Sequence, residues 1–264
     1  VFKKVNGTDG QVWSLNPAGG ELVMGHHEGS FLLSASNSRI LSSEPGAWTF
    51  VTMSDEYMLG GTYTGLVLYR KEKGQWVFDR KLDGLKESCR IMVKDEDQSI
   101  WISHPYRGVY NVRWNAGNKD KIDIRFFNQE NGLPTNLNNY VFQIAGKAVF
   151  ATEKGVFHFD RSKDTFVPDD DFNRLLDKQH RVRYLREDTK GNVWYVTDHE
   201  AGMLIVNDFG LKKEVRKKVI PELAGKLVGG FEFLLPIDGH NMIIGTEQGF
   251  IHYALDEEDQ SDTL

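Results

Sequence analysis

The amino-acid sequence predicts an all-β protein built from six repeated antiparallel units, and three observations lead to this. A short apolar run, a polar turn, a glycine and a second apolar run recur six times along the chain. The spacings between the anchoring glycines are 36, 43, 47, 47 and 47 residues, which is the period of a four-stranded β-propeller blade. No long helical periodicity competes with this pattern. The anchoring glycines are Gly29, Gly65, Gly108, Gly155, Gly202 and Gly249.

Each motif predicts a hairpin, because its flanking runs are short and rich in aromatic and β-branched residues. The glycine supplies the positive φ that tight hairpin turns need. A further strand precedes each hairpin, as in residues 184–192, and a fourth segment follows most of them, as in residues 75–79 and 123–127. Residues 170–178 predict one short amphipathic helix, and the basic run 212–218 predicts an outer strand. The expected architecture is therefore a propeller of four-stranded blades.

The two ends of the chain predict how the ring closes. The sixth unit has three strands before the acidic stretch 256–264, while residues 1–5 form a spare strand ahead of the first unit. We therefore expect one propeller over residues 1–255, with the strand 1–5 completing the last blade of a closed six-bladed ring. Part of a seven-bladed ring is the alternative. Residues 256–264 are expected to form an acidic linker or tail.

Composition excludes several classes of protein. The 264 residues are 40% hydrophobic and 27% charged, with a net charge of −6, which is typical of a soluble globular domain and disfavours nucleic-acid binding. No apolar run approaches the ~20 residues of a membrane span, and no secretory signal segment opens the chain. Because the chain begins without Met, we expect a fragment cut from a longer protein.

Buried positions can also be predicted. The single cysteine, Cys89, permits no internal disulfide and lies in an apolar run, so it is interpreted as a core residue. Large aromatic residues at strand positions are expected to pack between blades. These are Trp13, Trp48, Trp76, Trp101, Trp194 and Phe231.

The fourth unit carries a recognisable repeat. Residues 132–136 read Gly-Leu-Pro-Thr-Asn, an apolar strand follows at 140–144, and Val-Phe-Ala-Thr at 149–152 leads to Gly155-Val156 and Phe159-Asp160. This pattern resembles the two-component regulator propeller repeat. The resemblance extends over about residues 11–255, although units one and two lack the Gly-Leu-Pro segment.

The resemblance implies a sensor. Such repeats typically form the periplasmic part of inner-membrane hybrid two-component regulators, and their ligands are often glycan fragments. A neighbouring propeller or an immunoglobulin-like domain, and a homodimer of the full-length protein, are the implied partners. The fragment itself would have no enzyme activity, no cofactor and no nucleic-acid partner. Two alternatives stay open, namely a glycan-processing hydrolase or lyase and a protein-interaction propeller.

Candidate binding residues lie in the hairpin turns just before the anchoring glycines. Aromatic rings can cover the apolar face of a sugar, while charged and imidazole groups bond its hydroxyls, and loops on a rigid scaffold commonly carry binding. We therefore predict a sugar-binding mouth from nine residues. They are His26, His27, Tyr63, His104, Tyr106, Arg107, Asp198, His199 and Glu200.

Metal binding and catalysis are disfavoured by the same turns. The histidines His26, His27, His104 and His199 show no recognisable metal-ligand spacing, so no metal site is predicted. Carboxylates occupy corresponding turns throughout the chain, which makes them weak indicators of a catalytic pair. No nucleophile elbow, phosphate loop or dinucleotide fingerprint is present, and no catalytic residue is predicted. The carboxylates considered are Glu28, Glu153, Asp198, Glu200 and Glu247.

Overall fold

A computed structural model of the chain describes residues 3–104, 106–209, 212–238 and 240–255. The chain divides into two compact units, residues 1–141 and 142–264. Throughout the described residues the backbone is organised in antiparallel sheets whose strand order follows the chain.

The first unit contains three four-stranded sheets. Sheet 1 consists of β1 (Val12–Ala18), β2 (Glu21–His26), β3 (Gly29–Leu33) and β4 (Ser38–Ser42). Sheet 2 consists of β5 (Thr49–Thr52), β6 (Tyr57–Thr62), β7 (Gly65–Glu72) and β8 (Gln75–Leu82). Sheet 3 consists of β9 (Ile91–Lys94), β10 (Ile100–His104), β11 (Gly108–Asn115) and β12 (Asn118–Phe127).

The remaining three sheets belong to the second unit, apart from the first residues of β13. Sheet 4 consists of β13 (Tyr140–Ile144), β14 (Lys147–Thr152), β15 (Gly155–Asp160) and β16 (Thr165–Pro168). Sheet 5 consists of β17 (Val182–Glu187), β18 (Val193–Thr197), β19 (Ala201–Phe209) and β20 (Lys212–Val219). Sheet 6 has three strands within the described residues: β21 (Leu234–Pro236), β22 (Asn241–Thr246) and β23 (Gly249–Ala254).

These six sheets confirm the predicted fold class, a β-propeller of antiparallel blades. Each anchoring glycine lies at the start of the third strand of its sheet, and five of the six are its first residue. In sheet 5 the third strand starts one residue earlier, at Ala201. The basic run forms β20, as predicted.

Helical structure is limited to short segments. The helix α1 (Asp170–Leu176) ends two residues before the predicted end, and the Asp169 side chain caps it by accepting from Phe172 N–H. Two 3₁₀ turns, Gln129–Asn131 and Pro221–Leu223, lie in connections between sheets. Within the described residues, none of the helices has the length and apolar character that crossing a membrane requires.

Sheets 2 and 5 are the middle sheets of the two units. Their strand residues alternate between two hydrophobic clusters, so each of these sheets is covered on both faces. In β7, Leu66 and Leu68 pack with sheet 3, while Val67 and Tyr69 pack with sheet 1. In β18, Trp194 and Val196 pack with sheet 6, and their neighbours pack with sheet 4. This two-sided burial explains why the central strands read as continuous apolar runs.

Several predicted core residues lie where expected. Trp76, Trp101 and Trp194 are at most 2% exposed, and Cys89 is fully buried between sheets 2 and 3. Burial raises the pKa of the Cys89 thiol to about 12, so the thiol stays protonated at neutral pH. Phe231, in contrast, is 57% exposed and does not pack in the core.

The N-terminal segment does not form the predicted strand at residues 3–5. The backbone instead turns onto sheet 1, where Asn6 N–H donates to Ser36 O and Ser38 N–H donates to Asn6 O, both at 3.0 Å. These bonds give Asn6 a parallel bridge with Asn37. Residues 1–2 and 256–264 lie outside the described residues, and completion of the last blade stays a prediction.

Sheets 3 and 5 each contain a buried aspartate that stabilises the turn between their first two strands. Asp188 accepts the backbone N–H groups of Lys190 and Asn192, at 2.9 and 3.0 Å, and the Trp194 indole N–H at 3.2 Å. Asp95 accepts the Trp101 indole N–H at 3.0 Å in the same way. Each carboxylate thus fixes a turn and satisfies the only polar group of a buried tryptophan.

A close backbone approach explains the anchoring glycines. At Gly65, φ is +121° and a Cβ atom would lie 2.2 Å from the carbonyl oxygen of Leu85, just after the fourth strand. At Gly249 of the three-stranded sheet 6, φ is +126° but no described atom lies within 4 Å of a Cβ position. The two glycines share a positive φ, but only Gly65 lies against a carbonyl oxygen of the connection that follows its sheet.

This contrast predicts unequal costs for alanine at the two positions. We expect Gly65→Ala to lower the free energy of unfolding by about 2–4 kcal/mol, because backbone strain adds to a steric clash. Gly249→Ala should cost about 1–2 kcal/mol from strain alone. Urea denaturation followed by circular dichroism measures both, and equal losses would contradict the role assigned to the carbonyl.

The aspartate turns generate a second prediction. Asp188→Ala should lower the free energy of unfolding by about 2–4 kcal/mol, because it leaves a buried indole N–H and two turn N–H groups unsatisfied. Asp238 makes the corresponding turn bonds in sheet 6, to the backbone N–H groups of His240 and Asn241, but it is exposed and bonds no tryptophan. Asp238→Ala is therefore the matched control, and its loss should be clearly smaller in the same denaturation experiment.

Candidate functional site

Hairpin turns and inter-sheet connections meet at one end of the sheets in the first unit. The turn after β2 and the connection before β5 are joined by Gly46 N–H donating to His27 O at 2.8 Å. The turn after β6 and the connection before β9 are joined by Cys89 N–H donating to Thr62 O at 2.9 Å. The predicted binding residues of sheets 1 and 2 are therefore held by backbone hydrogen bonds at the same end of the unit.

An aromatic cluster lies on this end, formed by Trp13, His27, Trp48 and Tyr63. The ring centroids of Trp13 and Trp48 are 4.3 Å apart, and those of Trp48 and Tyr63 are 5.4 Å apart. His27 Nδ1 lies 2.8 Å from Tyr63 Oη and extends the cluster to an exposed imidazole. The other three rings are half-buried, so each keeps a fraction of its surface available to a ligand.

A charged cluster lies beside it, formed by Glu87, His104 and Arg107. Glu87 Oε1 accepts from Arg107 Nη1 at 2.5 Å, and Glu87 Oε2 lies 3.4 Å from His104 Nε2. Tyr106, between the two basic residues in sequence, is 73% exposed. The cluster therefore presents a carboxylate, a guanidinium and an exposed phenol to solvent.

One segment links the two clusters. The Trp48 indole N–H donates to Ser88 Oγ at 3.1 Å, and Ser88 is the neighbour of Glu87 in the connection between β8 and β9. The Arg90 guanidinium lies 5.2 Å from the centroid of the Trp48 ring. Aromatic and charged groups thus form one continuous surface on the first unit.

The side chains of His26 and His104 stabilise their own hairpin turns by accepting a backbone N–H. In sheet 2 the Thr62 hydroxyl accepts from Thr64 N–H and donates to Gly65 O. His26 stands at this position in sheet 1, where its Nδ1 accepts from Glu28 N–H at 3.1 Å. His104 stands there in sheet 3 and accepts from Tyr106 N–H at 3.2 Å.

His26 is therefore removed from the candidate binding set. Its side chain is buried, with 2% exposure, and its Nε2 lies 3.0 Å from Asp9 O, so both ring nitrogens are engaged. Consecutive strand residues point to opposite sides, which leaves His27 on the surface and His26 inside. The corresponding threonines Thr62, Thr152 and Thr246 form a pattern in the sequence that could have identified this role.

The remaining three predicted residues lie in the second unit, in the turn between β18 and β19. Asp198 and His199 are exposed, and His199 Nε2 lies 3.6 Å from Asp198 Oδ2. Glu200 is engaged internally, because its Oε1 accepts from the Tyr195 hydroxyl at 3.0 Å and lies 2.5 Å from Lys217 Nζ. Burial, followed by the bond to Glu200, raises the pKa of Tyr195. Asp198 and His199 thus keep the exposure that a ligand-binding role requires.

Sequence reasoning missed three members of the first-unit surface. Trp13 and Trp48 were expected in the core. Trp13 is instead the second residue of β1, and Trp48 immediately precedes β5, so both lie near the start of the first strand of a sheet. Glu87 lies in a connection rather than in a hairpin turn, so the repeat pattern did not draw attention to it. The position of the two tryptophans in the sequence could have identified them. The start of the first strand of a sheet lies at the same end of that sheet as the hairpin turn after its second strand.

The charged cluster predicts the titration of His104. Burial lowers the pKa of this imidazole, while Glu87 raises it and Arg107 lowers it. We expect a midpoint below the ordinary value of about 6.5, a further decrease in Glu87→Gln, and an increase in Arg107→Gln. Because the folded-state pKa lies below the unfolded value, the stability contributed by the neutral ring is lost as the pH falls through this window.

Ring ¹H–¹⁵N correlation spectra recorded across a pH series measure these midpoints directly. A rise of the His104 midpoint in Glu87→Gln would contradict the assigned pairing.

Comparison with known proteins gives no family model that matches the chain and no curated protein that matches by sequence. Solved structures do match. The extracellular domain of BT4673, described as a hybrid two-component system of Bacteroides thetaiotaomicron, matches with a TM-score of 0.66 at 17% identity, over 96% of this chain and 33% of that one. The corresponding domain of BT3049 from the same organism gives 0.66 at 16%, over 96% and 35%.

An enzyme shares the fold as well. A catalytically inactive variant of virginiamycin B lyase from Staphylococcus aureus, with quinupristin, matches with a TM-score of 0.63 at 10% identity, over 96% of this chain and 83% of the enzyme. The chain spans about a third of the length of the two Bacteroides domains. The fold of this chain is therefore a propeller fold that also occurs in the extracellular domains of hybrid two-component systems.

Proposed function

We propose that this chain is a ligand-sensing part of the extracytoplasmic region of a hybrid two-component regulator, and that its ligand is an oligosaccharide. The observation that carries the proposal is the continuous surface of aromatic and charged clusters on the first unit. The sequence resemblance to the regulator propeller repeat and the fold shared with extracellular domains of such systems support the sensor part. A periplasmic location belongs to the same proposal.

Sugar recognition needs the two kinds of group that meet on this surface. The exposed parts of the half-buried Trp48 and Tyr63 rings offer apolar area to the C–H face of a pyranose ring, and each aromatic side chain loses little conformational freedom on binding. His27, Glu87 and Arg107 offer donors and acceptors to hydroxyl groups, and charged partners make the stronger hydrogen bonds. Tyr106, exposed at the edge, can contact a second sugar unit.

Signalling by binding alone requires a difference in affinity between two states of the receptor. A ligand that binds both states equally shifts no equilibrium, whatever its affinity. In this proposal the bound oligosaccharide favours one arrangement of the homodimeric parent protein, and the neighbouring propeller or immunoglobulin-like domain transmits it. The chain needs no catalytic residue for this role.

A glycan-processing lyase or hydrolase is the second candidate, because the propeller fold also occurs in an enzyme, virginiamycin B lyase. The two functions differ in their products, because a sensor releases its ligand unchanged and an enzyme releases shortened or modified chains. The same panel of ligands therefore tests both functions.

Isothermal titration calorimetry against a panel of soluble plant and host oligosaccharides tests the proposal. We expect at least one glycan to bind, and Trp48→Ala and Tyr63→Ala each to weaken that binding about tenfold through lost stacking. Tyr63→Phe should retain most of the affinity, because it keeps the ring and loses only the contact with His27. Phe250→Ala removes a 78% exposed aromatic ring from the second unit and is the matched control.

Two results would overturn the proposal. Binding that survives both Trp48→Ala and Tyr63→Ala would show that the wrong surface was chosen. Conversion of a glycan to shorter products during incubation, followed by mass spectrometry, would replace the sensor with the enzyme. Circular dichroism of each variant confirms that the fold is retained before affinities are compared.

A further inference from the structure

Two histidines and an aspartate converge on the second unit, away in sequence from the aromatic and charged clusters. His180 lies in the loop between α1 and β17, and Asp198 and His199 lie in the turn between β18 and β19. His180 Nδ1 is 3.8 Å from Asp198 Oδ1, and His199 Nε2 is 3.6 Å from Asp198 Oδ2. The two imidazole centroids are 4.1 Å apart at an interplanar angle of 74°.

We propose that His180, Asp198 and His199 bind a divalent transition-metal ion of the zinc class. Two imidazole nitrogens and one carboxylate oxygen form a donor set that suits Zn²⁺ and its neighbours in the transition series. Mg²⁺ and Ca²⁺ prefer sites made of oxygen ligands alone. Three protein ligands leave a fourth position of a tetrahedral ion open to water or to an exogenous ligand.

The distances are compatible with this role after small side-chain rotations. Ligand atoms about 2.0–2.1 Å from a tetrahedral zinc ion lie roughly 3.3 Å from one another. The separations of 3.6 and 3.8 Å exceed this by a few tenths of an ångström, and one donor atom from each residue lies within 4.8 Å of the others. The side chains are 40%, 43% and 61% exposed, so solvent reaches the ligands and the rings have room to rotate.

A second carboxylate occupies the outer position typical of metal-bound histidine. His180 Nε2 faces Asp177 Oδ2 at 3.7 Å, on the side of the ring opposite the nitrogen that faces Asp198. Carboxylates that contact the free nitrogen of a ligating histidine orient the ring and select its tautomer. Asp177 is therefore assigned as a positioning residue and not as a ligand.

The backbone holds the two contributing segments together without a metal. Asp198 N–H donates to Arg181 O at 3.2 Å, which ties the β18–β19 turn to the loop that carries His180. Thr197 Oγ1 accepts from His199 N–H and from Glu200 N–H, at 3.2 and 3.0 Å, and thereby fixes the turn. A site prepared in this way loses less conformational entropy when the ion binds.

The alternative explanation is a set of surface ion pairs between protonated histidines and aspartates. Exposed pairs of this kind contribute little to stability. The two explanations differ in what they predict for added metal, because ion pairs alone give no stoichiometric and selective binding of Zn²⁺.

Metal binding to the protein purified without a polyhistidine tag tests the proposal. We expect equilibrium dialysis with Zn²⁺ and elemental analysis to show one bound ion per chain, and no binding of Mg²⁺ at the same concentration. His180→Gln and His199→Gln should each weaken zinc binding at least tenfold, and Asp177→Asn should weaken it about tenfold. Zn²⁺ should also raise the melting temperature of the wild-type protein more than that of either histidine variant.

His158→Gln is the matched control. His158 is 44% exposed and its Nδ1 lies 3.3 Å from Asp169 Oδ2 in the same unit, so it forms a histidine–carboxylate pair that is not part of the His180, Asp198 and His199 group. This variant should bind zinc as the wild type does. Absence of stoichiometric binding, or binding that neither His180→Gln nor His199→Gln weakens, overturns the proposal. Melting without metal shows whether each variant folds normally.

Discussion

The middle sheet of each unit is apolar on both faces, and the rest of the structure depends on covering both faces at once. A strand such as β7 sends alternate residues into two different clusters, so neither face can be left to water without losing a large hydrophobic contribution. Sheets must therefore stack, and their connections must emerge at the ends. The candidate surface lies at one of those ends, where turns and connections are joined by backbone hydrogen bonds.

One polar side chain in each hairpin turn stabilises the turn and is therefore engaged before any ligand binds. One position in each hairpin turn needs a side chain that accepts a backbone N–H, and threonine or histidine can supply it. His26 and His104 fill this position, and His26 is buried as a result, while His27, one residue further on, stays on the surface. An exposed histidine in such a turn therefore indicates a binding role only when it stands outside the accepting position.

Much of the fold was predictable, because the repeat of turn, glycine and apolar run is local in sequence. The helix α1, the outer strand β20 and the burial of Cys89 followed from the same local patterns. The candidate surface was predictable only in part. Tyr63 and Arg107 belong to hairpin turns, which the repeat pattern predicts. Trp48 and Glu87 lie in connections, and the position of a connection depends on how neighbouring sheets stack. The approach of His180 to His199 likewise depends on tertiary structure, since one lies in an inter-sheet loop and the other in a hairpin turn.

The sharing of sheets between clusters has a consequence for local opening of the backbone. Sheet 2 contributes to both clusters of the first unit and sheet 5 to both clusters of the second, whereas sheets 1 and 6 each contribute to one. Stability in stacked repeats is approximately a sum of nearest-neighbour terms. We therefore expect the amide protons of the shared sheets, such as those of β6 and β18, to exchange with solvent later than those of sheets 1 and 6, which carry exposed apolar residues such as Leu15 and Phe250.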